Sequence, residues 1–317
     1  MAKTAASANE IRLTRVYDAP VEAVWDAWTQ EDKAAKWWGP RGFSITTHSK
    51  DFRPGGHWKY TMHGPGGQDF PNLQTYIEIE RHKKMVYDQG ATEKSPPMFR
   101  VTVLLSDLGG KTKLDMTMTL PTAEAAADTR QIIKKFSGDS TWDRLAEQLE
   151  KDATGREVFV ITRAFDCPVE KMFELWTDPK HLALWLAPKG ATMRFIRADV
   201  RPGGSSFYTM SHPGGNMYGR VEYVELVKPS RLVYKQQFCD KTERLARHPM
   251  SPTWPETMLT TVRFEAEGPD RARARVEWAP DKPAPAELDT FVKARAGMTG
   301  GWTGSLDKLE DYIKEAR

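Results

Sequence analysis

Apolar and polar side chains alternate along much of the first 120 residues, which is the period of a β-strand. After the turn at residues 53–56, for example, Trp58, Tyr60 and Met62 share one face and the residues between them share the other. Short gaps rich in Gly, Pro, Asn and Asp separate the alternating stretches, as in an antiparallel meander. The predicted strands are residues 11–17, 43–52, 56–63, 75–81, 84–89, 99–106 and 112–120.

Helical periodicity appears at two places in the same stretch. A helix is predicted to begin at Pro20 and to be followed by a short one at residues 30–37, and two closing segments follow the last strand at residues 123–136 and 139–151. A run of strands closed by helices is typical of an α+β fold. We therefore predict a curved antiparallel sheet wrapped around a long C-terminal helix, an arrangement that leaves a concave pocket between the two.

The same pattern occurs twice in the chain. Residues 14–22 match residues 162–170, which lie 148 positions later. The offset has grown to 160 at the closing helices, where Trp142 matches Trp302. The second half must therefore contain an insertion, which we place in the Pro- and Arg-containing stretch 239–255.

The repeat predicts two tandem helix-grip domains. In the second of them a glycine-containing segment, residues 297–301, predicts a loop between closing helices at 286–296 and 302–315. The predicted bounds are a disordered N-terminus at 1–10, a first domain at 11–152, a linker at 153–157 and a second domain at 158–317.

Composition narrows the functional classes. Of the 317 residues, 46 are Lys or Arg and 43 are Asp or Glu, and the two signs are mixed along the chain, so neither nucleic-acid binding nor a membrane surface is indicated. No apolar run is long enough for membrane insertion or for a signal peptide. Two cysteines without CxxC spacing fit free thiols in a reducing compartment. We expect a cytoplasmic protein.

Several short motifs resemble one known superfamily. They are Tyr17-Asp18-Ala19-Pro20, Val24-Trp25, Trp28-Thr29, Trp37-Trp38-Gly39-Pro40, the turn 53–56, Tyr76-Ile77-Glu78-Ile79 and the segment 298–309. Together they resemble the SRPBCC superfamily, with its START-like and Bet v 1-like helix-grip fold, and most of all the bacterial domains related to the activator of Hsp90 ATPase. The resemblance spans both halves. It implies a hydrophobic ligand pocket and does not imply a reaction.

The resemblance also raises the question of Hsp90 as a partner. The eukaryotic co-chaperone carries a separate N-terminal module ahead of such a domain, whereas the first repeat here begins at about Ile11. We therefore expect no Hsp90 activation.

The two halves also differ from each other: Leu186 stands where the first half has Trp38, and Gly300-Gly301 stand where it has Ser140-Thr141. The two pockets would not hold the same ligand equally well.

Aromatic and Met side chains on the sheet and helices are the candidate ligand-binding residues, with ordinary core packing as the alternative for each. They are Trp37, Trp38, Trp58, Tyr60, Met62, Tyr76 and Trp142 in the first half, and Trp185, Tyr208, Met210, Tyr223 and Trp302 in the second. The seven histidines lack metal-ligand spacing, and a surface position is expected for each. No nucleophile, phosphate or dinucleotide motif occurs in a suitable context, so no catalytic residue, metal or cofactor is predicted.

Three functions stay open at this point. The first is binding of a small lipophilic or aromatic molecule, as a carrier, sensor or sequestering protein. The second is an enzyme of cyclase, lyase or hydrolase type acting on an aromatic or polyketide-like substrate in the same pocket. The third is a protein-interaction scaffold. A shifted acid or base in a pocket would favour the enzyme, and pockets filled by their own side chains would favour the scaffold.

Overall fold

A computed structural model describes residues 7–135 and 139–315 of the chain. It divides into two compact units, Met1–Gly155 and Arg156–Arg317, which are described separately below. Residues 1–6 of the predicted disordered N-terminus lie outside the described residues, as does Phe136 at the end of a predicted helix.

The first unit confirms the predicted meander. Its seven strands form one antiparallel sheet in the order β1-β7-β6-β5-β4-β3-β2, so that the first strand pairs with the last. The described elements are β1 (Glu10–Tyr17), α1 (Val21–Thr29), α2 (Glu31–Trp37), β2 (Ser44–Lys50), β3 (His57–His63), β4 (Asp69–Glu80), β5 (Lys84–Gly90), β6 (Phe99–Asp107), β7 (Thr112–Thr119), α3 (Ala123–Lys135) and α4 (Ser140–Thr154).

The second unit repeats this topology. Its sheet has the order β8-β14-β13-β12-β11-β10-β9. The elements are β8 (Phe159–Phe165), α5 (Val169–Thr177), α6 (Pro179–Trp185), β9 (Thr192–Ala198), β10 (Ser205–His212), β11 (Gly215–Val227), β12 (Arg231–Cys239), β13 (Thr257–Gly268), β14 (Arg271–Pro280) and α7 (Pro285–Glu315). The predicted α+β fold class, with two tandem helix-grip domains, is therefore confirmed.

The predicted loop at residues 297–301 is wrong, because α7 runs through it as one helix of 31 residues. Each glycine in a helix interior costs about 1 kcal/mol relative to alanine, a modest local penalty. The helix buries Phe291 and Met298 before and within the glycine segment, and Leu306 and Leu309 after it. Core packing on both sides of the glycines outweighs their low helix propensity.

The repeated Arg-Pro-Gly-Gly turns fix the register of the strands that follow them. Gly203 has a φ of +78° and its N–H donates to the carbonyl of Tyr223, while the Tyr223 N–H donates to the carbonyl of Gly204. A Cβ at Gly204 would lie 2.3 Å from the carbonyl oxygen of Asp199, so no other residue fits. The turn thus anchors Tyr223 on the neighbouring strand.

Candidate functional site

A cavity of about 640 Å³ lies within the second unit. One wall is the sheet, which contributes Tyr208, Met210, Tyr223 and Tyr234 among other side chains. The helices α5, α6 and α7, the residues after α6 and the loop between β12 and β13 supply the remaining walls. Pockets of roughly 300–1,000 Å³ are typical of small-molecule sites, so the volume suits a molecule of a few fused rings.

Aromatic side chains dominate the lining. The described residues around the cavity include Trp176, Phe195, Tyr208, Tyr218, Tyr223, Tyr234, Phe238, Trp254, Trp278 and Trp302. They include no Asp, Glu, Lys or Arg side chain. A ligand in this space would therefore exchange water for aromatic and aliphatic surface, and any charge that it carried would find no ionic partner there.

Tyrosine hydroxyls and the Gln236 amide are polar groups on the sheet wall. The Tyr208 hydroxyl accepts a hydrogen bond from Nε2 of Gln236 at 2.8 Å, and the Tyr223 hydroxyl lies 3.1 Å from Oγ of Ser206. Burial raises the pKa of Tyr208 and of Tyr234 well above the ordinary value. These hydroxyls stay protonated at neutral pH, and they can orient a ligand through hydrogen bonds.

Small residues on α7 keep the helix side of the cavity open. Gly297 and Gly301 lie four positions apart on one face of the helix and both border the cavity. A Cβ built at either position would meet no atom within 4 Å. Next to them, the Trp302 ring stacks on Trp176 with centroids 6.2 Å apart. The helix thus leaves room beside a flat aromatic surface.

Alanine in place of either Gly300 or Gly301 is expected to stabilise the protein by about 1 kcal/mol, because alanine is the better helix former and neither methyl group meets a neighbour. Urea unfolding of the two variants and the parent checks this. A loss of stability in either variant would show that the helix face is more crowded than the structure indicates.

The inserted loop, residues 240–256, forms part of the cavity wall. It contributes His248, Met250 and Trp254. The His248 ring packs edge-on against Phe238 with centroids 4.6 Å apart, and its Nδ1 accepts a hydrogen bond from the Met250 amide at 3.1 Å. Burial lowers the pKa of His248, so the imidazole is neutral at pH 7. The expected surface position is therefore wrong for this histidine. The signal that could have identified it is the insertion itself, which also carries Trp254.

The equivalent space in the first unit is occupied by side chains. Trp38 lies amid other indoles, with ring centroids 5.5 Å from Trp28, 5.9 Å from Trp58 and 6.3 Å from Trp142. Its Nε1 donates to the Tyr60 hydroxyl at 2.9 Å. Burial raises the pKa of Tyr60 to about 12, although this hydrogen bond acts in the opposite direction. Within the described residues, indoles and Tyr60 thus pack together at the position where Leu186 borders the cavity of the second unit.

Two substitutions between the halves remove indoles from the second unit. Leu186, which borders the cavity, stands at the position of Trp38. Ser206 stands at the position of Trp58, and its hydroxyl meets Tyr223 instead of a second indole. The two missing rings contact each other in the first unit, with centroids 5.9 Å apart, and the second unit has neither.

Hydrogen bonds and one ion pair connect α4 of the first unit to the segment that follows α2. Arg144 donates to backbone carbonyls of the segment 36–43, the shortest contact being 2.7 Å to Gly39. Arg41 forms a two-pronged ion pair with Glu147, with Nη1 to Oε2 at 2.9 Å, and both side chains are buried. In the repeat Arg144 corresponds to Gly304, and Ser305 and Lys308 of α7 donate instead to the carbonyls of Leu186 and Ala187, at 2.8 and 2.9 Å.

Lys50, which Ala198 replaces in the repeat, is a half-buried cation in the first unit. Its Nζ donates to the carbonyl of Trp28 at 3.0 Å and lies 3.8 Å from the centre of the Trp58 ring. Burial lowers the pKa of Lys50 to about 7, and the nearby Glu31 only partly offsets this. Burial of the ammonium group therefore costs folding free energy at neutral pH.

A pH-dependent stability follows from Lys50. Its pKa is lower in the folded chain than the value of 10.5 expected when unfolded, so the unfolded state binds more protons between these values. The contribution of Lys50 to the free energy of unfolding should therefore rise as the pH increases from 7 towards 10. Urea unfolding of the parent and of Lys50→Met between pH 7 and 9.5 checks this. Equal slopes for the two proteins would contradict it.

The twelve predicted site residues fall into two groups. Tyr208, Met210, Tyr223 and Trp302 line the cavity of the second unit. Trp185 lies in the core behind it, where its Nε1 donates to the carbonyl of Leu175. The first-unit residues are core or packed against it: Trp37, Trp58, Tyr60, Tyr76 and Trp142 are buried, and Trp38 and Met62 are half-buried.

A second cleft of about 440 Å³ lies elsewhere in the same unit and includes Cys167, His181 and Tyr312. His181 bridges the Tyr312 hydroxyl at 2.7 Å and the carboxylate of Glu174 at 3.1 Å. Lys171 also pairs with Glu174, and the pKa of that carboxyl is lowered mainly by this hydrogen bond. These ionic groups are largely solvent-exposed and satisfy one another, so the larger cavity is the candidate ligand site.

One family model matches both halves of the chain. The family model for Activator of Hsp90 ATPase homolog 1-like protein matches residues 18–151 and again residues 166–314. The chain belongs to this family. The predicted resemblance is thus confirmed for both halves, with one family domain in each. No curated protein matches the chain. Among the described residues, no helix is both long and apolar enough to cross a membrane.

Several solved structures are similar in fold. A Nitrosomonas europaea protein is 21% identical over 47% of this chain and 98% of its own, with a TM-score of 0.42. A protein from Arthrobacter aurescens is 24% identical over 45% of this chain and 87% of its own, also at 0.42. The di-domain ARO/CYC BexL from the BE-7585A biosynthetic pathway is 14% identical over 95% of this chain and 97% of its own, at 0.38.

Proposed function

We propose that the second unit binds one small lipophilic, aromatic molecule in its cavity and that the first unit is a packed scaffold. The observation that carries the proposal is the contrast between equivalent positions. Trp38 lies within a cluster of indoles, whereas Leu186 borders a cavity of about 640 Å³. Gly301 and Ser206 likewise stand where the first unit has larger side chains.

Binding without chemistry is the function that the lining favours. Acid–base catalysis needs a group that can change protonation near the working pH. The described lining contains no carboxylate or lysine, the pKa values of its shifted tyrosines lie above the neutral range, and burial lowers the pKa of its histidine, His248. A carrier, sensor or sequestering protein needs only shape and apolar surface, and the cavity offers both.

A second candidate function is proton transfer in the same cavity. One observation favours it: His248, which is neutral and half-buried, lies in the wall. An imidazole can accept a proton near pH 7 and give it up again as imidazolium. An enzyme of cyclase, lyase or hydrolase type on an aromatic substrate would use this residue, and His248→Phe would then abolish turnover while leaving the substrate bound.

Titration with N-phenyl-1-naphthylamine, an uncharged aromatic fluorophore, tests the binding proposal. We expect saturable binding to the parent chain and to Gly300→Leu, since Gly300 lies on the helix outside the cavity lining. Gly301→Leu should lose binding, because its side chain would enter the cavity. Equal binding by the two leucine variants would place the fluorophore elsewhere, and no binding by the parent would remove support for the proposal.

A further inference from the structure

We propose that the ligand is an uncharged ring compound whose neutral acceptor oxygen, such as a carbonyl, takes a hydrogen bond from Nε2 of His248. The inference rests on the proposed function and adds the ligand's chemical class and polarity. It depends on three features of the inserted loop and the cavity: the tautomer of His248, the fixed position of its ring, and the lack of ionic groups in the described lining.

The Met250 amide determines the tautomer of His248. An amide N–H can only donate, so Nδ1 of the imidazole must carry a lone pair where the two atoms meet at 3.1 Å. The proton of the neutral ring is then on Nε2. The pKa of His248 is lowered by burial, which keeps the ring in this neutral form. The remaining nitrogen of this ring is therefore a donor rather than an acceptor, and His248 borders the cavity.

Aromatic neighbours hold the imidazole in place. Phe238 packs edge-on against it with centroids 4.6 Å apart, and Trp254 lies at 6.2 Å. Both neighbours also border the cavity. A donor whose ring is already fixed loses little conformational entropy when it binds an acceptor, so its hydrogen bond discriminates effectively between ligands with and without one.

Charge balance excludes an anion as the preferred ligand. The nearest charged residue in sequence, Arg247, is paired with Glu256 at 3.3 Å and with Glu287, so its charge is already compensated. The described lining has no basic side chain to take its place. A carboxylate moved from water into this cavity would lose its hydration without gaining an ion pair, and burying an unpaired charge is costly.

A cation is the competing possibility, because aromatic rings attract quaternary ammonium groups. The cavity has the rings for such a contact, but it also has Nε2–H of His248, which repels a cation and matches an acceptor. Since no described carboxylate borders the cavity, nothing else there compensates a positive charge. The donor therefore favours a neutral carbonyl compound over an ammonium.

Four naphthalene probes of similar size separate these cases. They are 2-acetylnaphthalene, 2-ethylnaphthalene, 2-naphthoate and (2-naphthyl)trimethylammonium, each measured on the full chain by displacement of N-phenyl-1-naphthylamine. We expect the ketone to bind about fivefold more tightly than the hydrocarbon, the ratio that corresponds to one net hydrogen bond of about 1 kcal/mol. Both ions should bind more weakly than the hydrocarbon.

His248→Phe should remove the preference for the ketone while retaining binding of the hydrocarbon. His212→Phe is the matched control. Nδ1 of His212 accepts a hydrogen bond from the Gly214 amide at 3.0 Å in the same local pattern, but His212 is not part of the cavity lining. This control should keep the fivefold preference. If His248→Phe does not fold, nitrogen NMR of the parent supplies the readout, because added ketone should shift the protonated Nε2 signal of His248.

The outcomes distinguish this inference from the function on which it rests. Tighter binding of the naphthoate or of the ammonium would overturn the inference, as would equal binding of ketone and hydrocarbon to the parent. A ketone preference that survives in His248→Phe, or a ketone complex without a shift at Nε2, would also overturn it. In each of these cases the cavity still binds a ligand. If none of the four probes binds, the proposed function itself fails.

Discussion

Leu186→Trp is expected to abolish binding of N-phenyl-1-naphthylamine, with a loss of affinity of at least about 100-fold, or about 2.8 kcal/mol. The substitution puts back the indole that the first unit carries at the equivalent position, where Trp38 packs among Trp28, Trp58 and Trp142. In the second unit the same ring would occupy the space left for the ligand. Fluorescence titration of the variant and the parent measures the difference.

Leu184→Trp is the control for this experiment. Leu184 lies on α6, two residues before Leu186. Its side chain is 56% exposed and does not border the cavity. A tryptophan there should leave the affinity within about twofold of the parent, since surface substitutions have small effects. Unchanged binding by Leu186→Trp would mean that the fluorophore does not occupy this cavity.

Glu147→Ala is expected to lower the free energy of unfolding of the first unit by about 3–5 kcal/mol. The change leaves Arg41 buried without its two-pronged partner, and an uncompensated buried guanidinium is one of the most costly single defects in a fold. Urea unfolding monitored by the fluorescence of the first unit's tryptophans measures the loss.

Two further variants serve as controls for Glu147→Ala. Replacing both Arg41 and Glu147 with methionine removes the charges together and should cost less than Glu147→Ala alone. Asp289→Ala, which breaks a solvent-exposed pair with Lys293 in the other unit, should cost less than about 1 kcal/mol. If Glu147→Ala changes stability by less than 1 kcal/mol, the buried pair does not fasten α4 as the structure indicates.

Most of the fold could be predicted from the sequence because its signals are local and occur twice. Alternation at Trp58 and Tyr60 predicted the buried face of β3, and both side chains are buried. The repeat then gave the same strand in the second unit. The continuity of α7 could not be predicted in this way. Glycine propensity is a local quantity, whereas the packing of Phe291 and Leu309 that holds the helix together is not.

The candidate site could be predicted only in part. The comparison of the two halves had already shown that Leu186 takes the place of Trp38 and that Gly301 takes the place of Thr141. Both replacing residues border the cavity. The comparison could not show which half was hollow, because cavity volume depends on how side chains from distant elements meet. The place of His248 in the cavity wall could not be predicted for a related reason. An irregular inserted loop has no periodicity from which the direction of a side chain can be inferred.

Among the described residues, Trp38 packs against other indoles in the first unit, whereas Leu186 borders a cavity in the second. The two units differ in a few side chains. Trp38 and Arg144 of the first unit are replaced by Leu186 and Gly304, and in the second unit Ser305 and Lys308 make the helix contacts to residues 186–187. Preserving the sheet while shortening the side chains that face the helix leaves the strand pairing intact. Duplication followed by such changes would retain stability in one copy and create a binding site in the other.

The number of N-phenyl-1-naphthylamine molecules bound per chain tests the central claim most directly. Native mass spectrometry or calorimetric titration of the intact protein measures it. We predict one molecule per chain, and none for Leu186→Trp, because the proposed site is the cavity that Leu186 borders in the second unit. Two molecules per chain, or one molecule that remains bound to Leu186→Trp, would contradict the account.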